Sequence, residues 1–267
     1  MLKVLAFVKR DLRLELSYRF SFLLRFLGVF FSIFLFYYLA RLLGEVATPY
    51  LAPYGGDYFS FVLIGIAFSG YFGVGLSSFA TGIRQAQMTG TLEAMLMTPT
   101  RLSTIVLCLS LWSYLMTTFR VLVYLALGAI FLGLDLGRGN YPAALLILAL
   151  SVVAFSSLGI IAASFVMVLK RSGPIAWLFN ALSSLLGGVY YPITVLPDRL
   201  QRFSRLLPIT YSLRAMRLAL LQGYPLSALT PDILALALFG LILLPLSLLA
   251  FRYAVHRAKV DGSLTQY

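Results

Sequence analysis

The sequence predicts an all-α, polytopic membrane protein. It should have six membrane-spanning helices, an N-terminal amphipathic helix at the interface and short outer-leaflet helices before the last span. Three observations carry this. Hydrophobic residues make up 61% of the 267 and charged residues 11%, with a mean hydropathy of +0.93; a soluble domain carries about 25% charged residues. Six apolar runs reach roughly the 20 residues that a helix needs to cross a bilayer. The basic residues behind the net charge of +12 cluster at the ends of those runs. That placement fits membrane topology and anionic headgroups, not nucleic acid.

Residues 1–20 read as a helix with Leu5, Val8, Leu12 and Leu16 on one face and Lys3, Arg10, Arg13 and Ser17 on another. Such a helix suits the surface of an anionic bilayer, or a partner protein in the cytosol. Charge interrupts this stretch every few residues, so no cleaved signal peptide is expected. The spans are expected at 21–43, 58–80, 102–134, 142–169, 174–193 and 231–253. The third is too long for a perpendicular crossing, so it must tilt, protrude or break, and Arg120 lies inside it. Small residues at Ser69, Gly73 and Ser77, and at Ser183 and Gly187, have the spacing that lets helices approach closely.

With six spans both termini share a side. Placing them in the cytoplasm puts thirteen basic residues inside, all four lysines among them, and seven outside, with Arg120 within a span. This is the orientation that the positive-inside rule favours. Five arginines before the last span are the exception. There Asp198 can cap a short helix that Pro208 stops, with Arg199, Arg202 and Arg205 opposing Leu200, Phe203 and Leu207. A second stretch, 213–221, carries Arg214 and Arg217 and ends near Gly223. Together 197–221 reads as amphipathic helices dipping into the outer leaflet.

The chemistry that the sequence lacks narrows its function. No lysine precedes a Ser or Thr, so there is no GxxxxGK[ST] phosphate loop. One histidine, His256, and one cysteine, Cys108, leave no His-pair metal site, His-based triad or internal disulfide. No catalytic residue and no metal ligand is proposed. No carboxylate lies mid-span, which disfavours an ion-coupled secondary transporter, and no carboxylate–histidine cluster supports a membrane-embedded lipid-modifying enzyme. Arg120 is expected to snorkel or to pair with Asp135 or a carbonyl, or else to face a pathway. Tyr37, Tyr38, Tyr190 and Tyr191 are candidates for a pathway wall or gate, with an ordinary interfacial aromatic belt as the alternative.

Between the second and third spans, Thr91 can cap a short helix, Glu93 sits near its N-terminus and Pro99 ends it. Leu92, Met95 and Leu96 then form an apolar knob, suited to a protein groove or to lipid.

The segments RQAQMTGTLEAMLMTPTR (84–101), GVYYPITVLPDRLQRFSRLLPITYSLRAMR (188–217) and AVHRAKVDGSLTQY (254–267) together resemble the type-2 ATP-binding-cassette permease family of polysaccharide, lipid-conjugate and drug exporters. The resemblance implies a half-transporter in the plasma (inner) membrane with both termini cytoplasmic, paired with a second copy of itself and with a separate ATPase subunit. That partner would bind the ATP and magnesium, so no cofactor belongs to this chain and the chain is not an enzyme. It makes 84–98 a coupling helix in which Gly90, Thr91, Leu92, Glu93, Met95 and Leu96 meet the ATPase, adds the 1–20 helix as a second contact, makes 197–221 the outer gate, and leaves 254–267 as a cytoplasmic tail.

Overall fold

A computed structural model describes residues 9, 12, 13, 19–88, 90, 97, 102–169 and 174–260. Among these there are eight α-helices and no strand. They are α1 (Arg19–Leu51), α2 (Tyr58–Met88), α3 (Leu102–Phe131), α4 (Tyr141–Leu169), α5 (Pro174–Leu186), α6 (Asp198–Ser204), α7 (Pro208–Gln222) and α8 (Thr230–Val260). Short 3-10 turns lie at Ala52–Tyr54 and Ile193–Val195.

Five of these helices, α1, α2, α3, α4 and α8, are long and apolar enough to cross a membrane. The expected fifth span at 174–193 is not one continuous helix. Its described part, α5, ends at Leu186, seven residues before the expected end. It stops because Gly188 takes a left-handed φ of +78 and because Gly187 packs where a side chain does not fit. A Cβ on Gly187 would lie 2.5 Å from Ile209 Cγ2. Residues 84–88, assigned from sequence to the coupling segment, are instead the last residues of α2. Most of the interfacial helix, most of 89–101 and the tail beyond Val260 lie outside the described residues.

α1 to α4 alternate in direction, and α8 runs parallel to α2 and α4. Their connections at 52–57, 132–140 and 223–229 share one end, the loop end. There Asp57 accepts the backbone N–H groups of Phe59 and Ser60 and caps α2. Asn140 caps α4 through the Ala143 N–H, while its own backbone N–H bonds Ala219 O and its amide bonds Tyr224 O. At the opposite end Phe79, Ile83, Ala86, Ile160, Met167, Phe251 and Val255 close a second apolar cluster from α2, α4 and α8.

α2 is the central post. Its Phe61, Ile64, Phe72 and Phe79 are fully buried, whereas α1 exposes Leu23, Phe31, Leu35 and Leu42 along its length. The tightest crossing is α2 on α4: a Cβ on Gly159 would meet Gly75 O at 1.7 Å. Backbone contact of this kind is how helices pack in a membrane, where water does not drive association. The expected small-residue stripe is displaced from it, since Gly73 faces Asn180 of α5. Gly187 does face a close neighbour, Ile209 of α7.

Candidate functional site

α6 and α7 form a re-entrant hairpin rather than a surface loop. Pro208 opens α7 and Gly223, at φ +64, closes it, as proline and glycine suit the two ends of a helix. Between them every residue except Tyr211, Arg214, Leu221 and Gln222 is buried, so most of α7 is an interior element. The hairpin tip is tied together by the Thr210 hydroxyl on Ser204 O at 2.7 Å and the Tyr211 hydroxyl on Arg205 O at 2.9 Å.

The depth of this tip follows from its neighbours. Tyr211 packs on Phe239 of α8, and the hydroxyls of Ser212 and Ser151 of α4 are 2.7 Å apart. Phe239 and Ser151 lie nine and ten residues from the loop ends of their helices, about 14–15 Å down the helix axis. Both helices are about 40 Å long as spans, so a 30 Å hydrocarbon core begins about 5 Å below their ends. The tip therefore lies within the hydrocarbon depth, and α7 climbs from it to the loop end, where Gly223 meets Arg138 and Gln222 meets Gly55.

Arg217 locks the hairpin in place. Its side chain is 2% exposed. Nε donates to Phe61 O at 3.0 Å, Nη1 to Gly188 O at 2.8 Å and Nη2 to Val189 O at 2.9 Å. The guanidinium lies 3.5 Å over the Phe61 ring. Arginine remains charged in proteins, and here three carbonyl dipoles and a π face replace water. Gly65 makes the room, since a Cβ there would sit 2.3 Å from Arg217 Nη2 and 2.2 Å from Val189 O. One side chain thus binds α7 to α2 and to the turn after α5. Nearby, Arg214 reaches Asp232 at 3.8 Å, with the carboxylate buried in the first turn of α8. Tyr54 packs on Phe61, and burial raises its phenol against the pull of Arg217 and Arg214.

The tyrosines expected from sequence divide. Tyr37 stands edge-on to Tyr38 and Phe59, under the Arg41 guanidinium at 5.1 Å. Tyr190 stacks on Phe36 at 5.8 Å. Tyr37 and Tyr38 thus sit in one ring group with Phe59 of α2, and Tyr190 in a separate pair where Phe36 of α1 meets the turn after α5. Tyr191 is half-buried and has no ring contact in either group. Arg120 is elsewhere: it follows Phe119, which packs edge-on against Phe26, eleven residues before Tyr37 on α1, or about 16 Å lower. It is half-buried, and Asp135, its expected partner, instead accepts the Gly137 N–H at 2.9 Å.

Of the expected ATPase contacts, Gly90 is described. It turns the chain at φ +66 just past α2, exposed and with open space around its Cα. Thr91, Leu92, Glu93, Met95 and Leu96 lie outside the described residues.

Sequence reasoning missed Arg217 as a buried residue. The signal was present: Arg217 falls between Met216 and Leu218, in line with Leu213 and Leu220 at helical spacing, whereas Arg214 falls off that stripe. A protein-family model described as "ABC-2 type transporter" matches residues 3–221. No curated protein matches the chain.

Proposed function

The chain belongs to the ABC-2 type transporter family, and from that premise we propose that it is the membrane half of an ATP-driven exporter. It is a transport permease of several membrane-spanning helices. The finer reading is that two copies enclose a translocation pathway, that a separate ATPase supplies the energy, and that both termini lie in the cytoplasm of a plasma-membrane protein. The observation that carries it is the family match over most of a chain that has no phosphate loop of its own. A transporter of this kind without a nucleotide site takes its energy from a partner.

On this reading residues 89–98 seat in a groove of the ATPase. Leu92, Met95 and Leu96 form the knob and Glu93 favours the helix N-terminus. α2 connects that contact to the gate, because one unbroken helix runs from Met88 to Phe61 and Gly65, where Arg217 holds the hairpin. Force on the segment after Met88 then reaches the hairpin without crossing a flexible joint. The test is purification with a phosphate-loop ATPase encoded beside it. The pair should hydrolyse ATP in vesicles, and this chain alone should bind none. Saturable, stoichiometric ATP binding by the isolated chain would overturn the proposal.

A further inference from the structure

α6 presents more than half of its circumference to the outside of the bundle. At about 100° per residue, Arg205, Arg202, Leu206, Arg199, Phe203 and Leu200 follow one another around the turn, and all are exposed. Ser204, on the other side, is fully buried and bonds Leu200 O. The arginines therefore do not oppose the apolar residues across the helix, as the spacing alone suggested. They occupy one sector with Leu206 among them, and Phe203 and Leu200 occupy the next.

One acid, Asp198, shares this element with the three arginines, and none of the three has an ion-pair partner among the described residues. The Arg205 carbonyl accepts the Tyr211 hydroxyl at the tip, within the hydrocarbon depth. At that depth the Arg205 side chain faces a water-filled cavity or the bundle interior, because lipid does not solvate it, and Arg202 and Arg199 continue the same exposed sector along α6. A dry contact with a second copy about a two-fold axis is also unfavourable, since it would bring like charges together. Water or an anion between the copies removes the conflict. The same arginines are those that depart from the positive-inside bias.

We infer that Arg199, Arg202 and Arg205 line a water-filled, electropositive constriction of the pathway, selecting cargo that carries a phosphate or carboxylate beside apolar surface. The inference rests on the permease reading above. Rings of arginine select anions in pores by the same physics, and Phe203 beside them offers an apolar surface to the rest of an amphiphile.

The test uses Leu206→Cys in a Cys108→Ser background, assembled with the ATPase in vesicles. The thiol is modified with methanethiosulfonates of equal size, one bearing a sulfonate and one a trimethylammonium group. The anionic-to-cationic rate ratio is divided by that of a small free thiol. A local potential of about one kT raises this quotient about sevenfold. The quotient should exceed unity by at least that factor, fall as salt is raised, and approach unity in Arg199→Gln/Arg202→Gln/Arg205→Gln. Should the triple variant not assemble, Arg202→Gln alone and the salt titration decide the matter. A thiol that water-borne reagents do not reach, or a quotient at or below unity, overturns the inference. Failure of the permease reading would appear separately, as loss of co-purification with the ATPase.

Discussion

Arg217 draws three separate pieces of chain onto one guanidinium: Phe61 of α2 and Gly188 and Val189 of the turn after α5, held from α7. Arg217→Ala leaves those carbonyls facing a void, which should destabilise the fold by about 3 kcal/mol or more. Arg217→Lys keeps the charge but loses the fork, so it should fall between alanine and wild type. Gly65→Ala attacks the same contact from the other side, because its Cβ would lie 2.3 Å from Nη2. If the two act on one lock, the double variant should be little worse than the worse single one, where independent sites would add. Melting temperatures in one detergent give the four corners of that cycle, and full additivity would refute a shared lock. The sequence placed Arg217 on an amphipathic outer helix but not inside the bundle. Its three acceptors are backbone carbonyls, and no side-chain pattern announces those. Tyr37 and Tyr190 were legible as aromatics at the ends of apolar runs, whereas their ring partners, Phe59 for Tyr37 and Phe36 for Tyr190, depend on how α1 packs.

Element lengths separate the legible from the illegible. The runs that became α1, α2, α3, α4 and α8 were readable because twenty apolar residues in lipid leave the backbone no alternative to helix. α3 is continuous over 30 residues despite Arg120. The end of α5 was placed too late because 174–193 is largely apolar, and the stop comes from two glycines and a neighbour, Ile209, about twenty residues later. The 197–221 helices were found by their prolines and arginine spacing, and the burial of α7 inside the bundle was not. The coupling segment makes a prediction at this scale. Thr91 to Leu96 span about one or two turns, too short to be stable without a partner. Glu93→Gln should therefore alter helix stability by no more than about 1 kcal/mol and leave insertion intact. Leu96→Arg places charge in a groove that the proposal makes apolar, and should uncouple ATP hydrolysis from transport. Transport and hydrolysis rates, measured side by side in vesicles with assembly checked by co-purification, test this. Wild-type transport per ATP by an assembled Leu96→Arg complex would refute the coupling assignment.

Across the whole molecule the helix connections 52–57, 132–140 and 223–229 lie at one end and the apolar cluster of Phe79, Met167 and Phe251 near the other. The proposed orientation, which the positive-inside bias favours, puts the loop end outside. Ser227 and His256 are exposed at opposite ends. A cysteine at each, in a Cys108→Ser background, should react with an impermeant thiol reagent in intact cells at 227 and not at 256; the reverse pattern would invert the orientation. The account joins these ends into one machine: a chain that binds no ATP, a cytoplasmic knob pressed by an ATPase, a rigid α2 and a gate locked to it by Arg217. The measurement that tests this most directly is the modification rate of Leu206→Cys in the assembled complex, with and without ATP under conditions that block hydrolysis. The account predicts that ATP changes the rate several-fold and that Leu96→Arg abolishes the change while the complex stays together. A rate that ATP leaves untouched in a complex that hydrolyses it would contradict the account.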